Sequence, residues 1–203
     1  MGITGGAMTV RRLRVEGEVP ADFRSVYPDL FATNAFQEPL TEVGKEEVEG
    51  WCNYQNLLDT EFNDVDRWLF GDYAVFALRV DKKSLPAKLF SATLAKRCEL
   101  WAAERNKERC PGSVKAEMKE ALEAEWLKRT LPRVAVTEAC WNIPQGYLLL
   151  HSLSESMMDR FRKRFRNTFG LTLVPLSPLD WVEDEAVVES LLAGSPANLH
   201  GVR

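Results

Sequence analysis

Between Met157 and Trp181 the chain reads MMDRFRKRFRNTFGLTLVPLSPLDW. Met158, Phe161, Phe165 and Phe169, with Met157 beside them, recur at three- and four-residue spacing and so share one side of a helix. A stripe that apolar has to be buried, so the helix is obliged to dock on the rest of the fold. Arg160, Arg162, Lys163, Arg164 and Arg166 are then left to point outward or along the flanks, with Asp159 as the only acid among them. Gly170 stands where a helix stops in a left-handed residue. Leu171 to Leu176 reads as a short strand, closed off by Pro175, Pro178 and Trp181.

The remaining segments define the company this helix keeps. Residues 8–15 alternate, with Val10, Leu13 and Val15 set among Arg11, Arg12 and Arg14, and read as a strand at an edge. A helix is expected over 20–32, with Phe23, Val26, Tyr27 and Leu30 on one face and Pro28 as a possible break. Residues 34–64 read as irregular and acidic. WLFGDYAVFALRV reads as two strands turning at Gly71-Asp72, the second mostly buried. Leu85-Pro86 opens a helix to about Arg109 with Phe90, Leu94, Cys98 and Trp101 as its stripe. Cys110-Pro111-Gly112 breaks it, and Ser113 is the expected N-cap of a second helix to Arg129. There Val114, Met118, Leu122 and Trp126 form the stripe, and Glu125 and Arg129 are spaced to pair. Val134–Trp141 and Tyr147–His151 read as antiparallel strands turning at 143–146. Ser152 and Glu155 have capping-box spacing for the helix over 154–169. A last helix is expected over 184–193.

This pattern predicts an α+β fold: antiparallel strand pairs with packed helices and a projecting antiparallel helical hairpin. The body would comprise 8–85 and 131–193, the hairpin 86–130, and loose tails 1–7 and 194–203. Met8 stands just ahead of the first strand.

Composition narrows the function classes. Hydrophobic residues make up 45% and charged residues 28% of 203, a globular rather than disordered balance. No apolar run reaches the roughly 20 residues that span a bilayer, and the N-terminus lacks the apolar core of a secretory signal. A cytoplasmic protein is expected. Cys52, Cys98, Cys110 and Cys140 form no C-x-x-C pair, and His151 and His200 are the only histidines, so neither a zinc site nor another cofactor is expected. The loop Asp59, Glu61, Asn63, Asp64, Asp66 lacks the glycine and final glutamate of a calcium loop and reads as a solvated turn. No G-x-S-x-G or H-E-x-x-H occurs.

Net charge is −4, but binding depends on where the cations lie. The five cations of 160–166 suit phosphate oxygens and sequence-independent contact. Read from spacing alone, they better suit a solvated face favouring the helix C-terminus. Lys82 and Lys83, with Lys88, Lys96, Arg97, Arg105, Lys107 and Arg109, form a second series, interleaved with Glu99, Glu104 and Glu108 as in a salt-bridged surface. Trp51, Trp101, Trp126 and Trp141 are candidates for base stacking, although Trp101 and Trp126 sit on helix stripes.

The order of these elements resembles the recombination-associated protein RdgC, a bacterial DNA-binding family. The resemblance rests on Gly50-Trp51, on FALRVDKKSLP from Phe76 to Pro86, on the charged hairpin, on Leu131-Pro132-Arg133, on the turn at Gly146, and on FRNTFGLTLVPLSPLDWV from Phe165 to Val182. It spans about residues 45–182. It implies a non-catalytic, nucleoid-associated homodimer that binds double-stranded DNA with little sequence preference and antagonises RecA-driven strand exchange. The family's ring has a basic hole, so an acidic total is compatible with it. The family also carries an exonuclease label, for which no carboxylate motif is visible. Two features depart from the pattern: the chain ends soon after Val182, before a region that helps close the ring, and Val134, Ala135 and Val136 replace aromatic residues used in dimer contact.

On this reading Arg160, Arg162, Lys163, Arg164 and Arg166 contact DNA first, and Lys82, Lys83, Lys96 and Arg97 form a weaker second set. The alternative is a protein–protein interaction module that keeps the fold without encircling DNA. A metal-dependent nuclease has the least support.

Overall fold

The computed structural model of the protein describes Gly5 and residues 9–38, 47–182 and 184–194. Apart from Gly5 and Gly194, the expected tails lie outside the described residues. The described chain is α+β, with five α-helices and one seven-stranded antiparallel sheet. The strands are β1 (Arg11–Glu16), β2 (Val48–Cys52), β3 (Leu69–Phe70), β4 (Tyr73–Lys82), β5 (Arg133–Asn142), β6 (Tyr147–Leu150) and β7 (Thr172–Pro175). They run in the order β2-β4-β5-β6-β1-β7, and β3 also pairs with β4.

The helices are α1 (Phe23–Thr33), α2 (Ala87–Glu104), α3 (Gly112–Arg129), α4 (Glu155–Phe169) and α5 (Glu185–Ala193). The α4 stripe meets the sheet as its spacing requires, with Met158, Phe161, Phe165 and Phe169 all buried. α1 adds Tyr27 and Phe31, and the sheet adds Leu13, Trp51, Phe76, Trp141 and Leu148. The aromatic rings interlock: Phe31 lies 5.1 Å from Phe169, Trp51 5.3 Å from Phe161, and Trp141 5.2 Å from Phe165. Burying each such side chain contributes about 1.5–3 kcal/mol, which outweighs a helix's weak intrinsic stability.

β4 is the hub of the sheet. Residues 74 to 81 are all buried, because both faces are covered, and this is why the segment reads as a nearly continuous apolar run. Ala74, Phe76, Leu78 and Val80 enter the main core. On the opposite face the Arg79 guanidinium grips the Asp81 carboxylate with two hydrogen bonds, Nε to Oδ1 at 2.8 Å and Nη2 to Oδ2 at 2.6 Å. It also donates to the Leu57 carbonyl and lies 4.0 Å from the Phe36 ring centre.

Several boundaries differ from the sequence reading. β1 is interior, paired with β6 on one side and β7 on the other. Its alternation reports only that one face is wet, which holds for an interior antiparallel strand as well as an edge. Pro28 stays inside α1 and is buried. The segment 34–64, outside its undescribed stretch 39–46, contains β2. Gly50 serves close approach there: a Cβ would lie 2.3 Å from the Phe36 backbone. α2 stops at Glu104, because Asn106 turns left-handed (φ 47°) and the Lys107 N–H bonds back to Ala102. α3 begins at Gly112 behind Pro111, with no side-chain cap from Ser113. Ser154, not Ser152, caps α4 by accepting from the Met157 N–H. Gly170 closes α4 in the left-handed conformation, as expected.

α2 and α3 lie between the paired ends of β4 and β5, where Lys82 faces Arg133. They form an antiparallel hairpin in which Phe90 meets Trp126 edge-on at 5.5 Å and Arg97 pairs with Glu125.

Candidate nucleic-acid interface

The five cations of α4 divide between two flanks of the buried stripe. Arg160 and Arg164, one turn apart, face β2 and the end of α1. Arg162 and Arg166, also one turn apart, face β7, with Lys163 outermost.

The first flank is occupied internally. Arg160 Nη1 donates to Glu49 Oε2 at 2.8 Å, and its Nη2 pairs with Glu47. Lys82 pairs with the same Glu47. Hydrogen bonds from Lys82 and then Arg160 hold the Glu47 carboxyl below its ordinary range. Arg160 is raised in turn, chiefly by its bond to Glu49. Arg164 donates from Nη2 to the Asn34 carbonyl at 2.8 Å, and its Nε is buried without a partner among the described residues. These two arginines hold the fold together before they can hold a ligand.

The second flank is open. Arg162 Nε donates to the Leu173 carbonyl at 2.9 Å, and its Nη1 lies 3.8 Å from Asp159. Lys163 and Arg166 are exposed, and neither side chain has a partner among the described residues. With Asp159, Asn167 and Thr172 these cations line a cleft of about 390 Å³ between α4 and β7.

The second expected set is dispersed. Lys83 Nζ donates to the Leu127 carbonyl at 2.9 Å, tying β4 to the base of the hairpin. Arg97 is half-buried in its pair with Glu125, whose carboxyl it pulls down. Lys96 is exposed without a partner among the described residues. Sequence reasoning passed over Arg133, which joins Lys82, Arg160 and Glu47 around a cleft of about 310 Å³. Its signal was the register, since two cations opposite one another across a strand pair call for an acid between them. Lys119 of α3 was missed as well; it lines a further cleft with Lys82 and Lys83.

The tryptophans offer little stacking surface. Trp51 and Trp141 are wholly buried. Trp126 packs on Phe90, and the half-buried Trp101 carries Arg105 4.7 Å from its ring centre. The acidic loop is engaged by Arg67, which pairs with Asp59 and lies 3.7 Å from Glu61. Among the described residues no group of three or more His, Cys, Asp or Glu side chains is placed to hold a metal ion. None of their helices is long and apolar enough to cross a membrane.

A family model described as "Putative exonuclease, RdgC" matches residues 45–190. No curated protein matches the chain. The family match takes in β2 through α4, β7 and part of α5, hence both flanks of α4 and the whole hairpin. It covers well over half of the sequence, and the chain belongs to the RdgC family.

Proposed function

We propose that the protein is a non-catalytic, sequence-independent binder of duplex DNA that acts in recombination through contacts to the phosphate backbone. Family membership points to work on nucleic acid, and one observation carries the choice of surface. Arg162, Lys163 and Arg166 present their cationic groups on one flank of α4, and two of them are not spent on any described acid. Charge placed this way releases counterions from DNA without reading bases. With three phosphate contacts the slope of log affinity against log salt is about −2.7, so affinity falls roughly 40-fold between 50 and 200 mM salt. Fluorescence anisotropy with a labelled duplex tests this, and salt-independent binding, or none at low salt, overturns it. The same duplex incubated with Mg²⁺ or Mn²⁺ stays full length on this reading; metal-dependent shortening by clean protein, lost on a single carboxylate change, favours the exonuclease description instead.

The hairpin supports a second reading as a protein-interaction surface. Leu89 and Leu100 on α2 are 60% and 55% exposed, and Leu131 beyond α3 is 87% exposed. Unchanged DNA affinity in an Arg162→Ala, Lys163→Ala, Arg166→Ala variant, with self-association lost in Leu89→Ala, Leu100→Ala, favours it.

A further inference from the structure

The cleft between α4 and β7 has a shape and charge that a plain backbone contact does not require. A duplex backbone offers its charges in a row, whereas Arg162, Lys163 and Arg166 rim a single depression of about 390 Å³. Three cations against the one carboxylate of Asp159 leave two positive charges there. A phosphodiester carries one negative charge, and a phosphomonoester at pH 7 carries about 1.5 to 2.

The side chains are also suited to hold a compact anion. Arg162 is anchored through Nε on the Leu173 carbonyl, a group that edge strand β7 would otherwise leave open. Its two Nη groups keep their donors in a plane already fixed, which lowers the ordering cost of binding. Asn167 and Thr172 also line the cleft and make its wall polar. Arg166 alone lies in the last turn of α4, so neutralising the helix C-terminus does not account for Arg162 and Lys163.

We infer that this cleft is a phosphomonoester site, taking either the terminal phosphate of a nucleic-acid strand or the phosphate of a free mononucleotide. The inference rests on the nucleic-acid reading of α4 given above and sharpens it to one anchoring point.

The test compares a short DNA duplex bearing terminal phosphates with the same duplex ending in hydroxyls, at 150 mM salt and pH 7.5. The phosphorylated duplex should bind about tenfold more tightly, the gain of one further charge-assisted contact. The preference should shrink below about pH 6, where a monoester loses its second charge. A variant with Lys163→Ala and Arg166→Ala should bind both duplexes alike; both side chains are exposed and have no partner among the described residues, so its denaturation midpoint should match wild type. Competition by a nucleoside 5′-monophosphate, with the two duplexes bound equally, supports the site and assigns it to free nucleotide. Equal binding of both duplexes with no competition overturns the site, while a surviving salt dependence leaves the backbone reading standing. Failure to bind either duplex at low salt removes both.

Discussion

The indole Nε1–H of Trp51 donates to Thr168 Oγ1 at 2.8 Å, joining edge strand β2 to the last turn of α4 inside the core. The Thr168 hydroxyl spends its own proton on the Arg164 carbonyl at 2.9 Å, so it accepts one bond and donates another. Thr168→Val keeps the shape and strands the indole donor. Leaving a buried donor unsatisfied costs about 1–3 kcal/mol. The urea midpoint should fall accordingly, and Thr168→Ser should keep most of the stability.

Tyr27 presents the opposite case. Its ring stacks on Trp141 at 5.6 Å, but its hydroxyl is buried without a partner among the described residues. Tyr27→Phe should therefore be neutral or stabilising, by up to about 1 kcal/mol. Burial also pushes the phenol up to about 12. The folded state keeps a proton that the unfolded chain releases near pH 10, so this contribution is complete below pH 10 and is lost as pH rises through 12. Cys52, likewise raised to about 12 by burial, adds a similar alkaline loss in both proteins. The stability difference between wild type and Tyr27→Phe, measured from pH 9 to 12, isolates the tyrosine: it should widen in favour of phenylalanine above pH 10.

Arg79 and Asp81 form a buried pair on the face of β4 away from α4, each under 10% exposed. Asp81→Ala leaves a guanidinium sealed under Phe36 and the 53–58 loop without its counter-charge. Breaking a buried pair from one side costs about 3–5 kcal/mol. Joint replacement, Arg79→Met with Asp81→Leu, removes both charges and should recover most of that loss. Chemical denaturation of the two variants checks the ordering.

These relationships mark where the sequence was readable. The α4 stripe, its Gly170 stop and the β5–β6 hairpin turning at 143–146 were legible because periodicity and turn chemistry are local signals. β2 was not, because Gly50 is explained only by Phe36, fourteen positions earlier in the chain. The cation cluster was legible as charge but not as a site. Arg160 is tied to Glu47 and Glu49, and Arg164 to Asn34, all more than 100 residues away. Helical spacing could separate residues 160 and 164 from 162 and 166, but only the sheet decides which flank meets acids and which meets an open cleft. The same holds for Arg133, whose company with Lys82 is set by strand register.

That division gives the sharpest test of where DNA would lie. Arg160 already faces two carboxylates, so Arg160→Ala should lower stability by no more than about 1 kcal/mol, as for a partly exposed pair. It should leave the salt dependence of duplex binding unchanged. Lys163→Ala with Arg166→Ala touches no described partner and should leave the denaturation midpoint in place. Each lost phosphate contact removes about 0.9 from the slope of log affinity against log salt, so the double variant should flatten it by about 2. Paired salt titrations and urea melts of the two variants separate charge that supports the fold from charge that meets a ligand. A flattened slope in Arg160→Ala with an unaltered one in the double variant would shift the interface to the β2 side of α4, around Arg133 and Lys82.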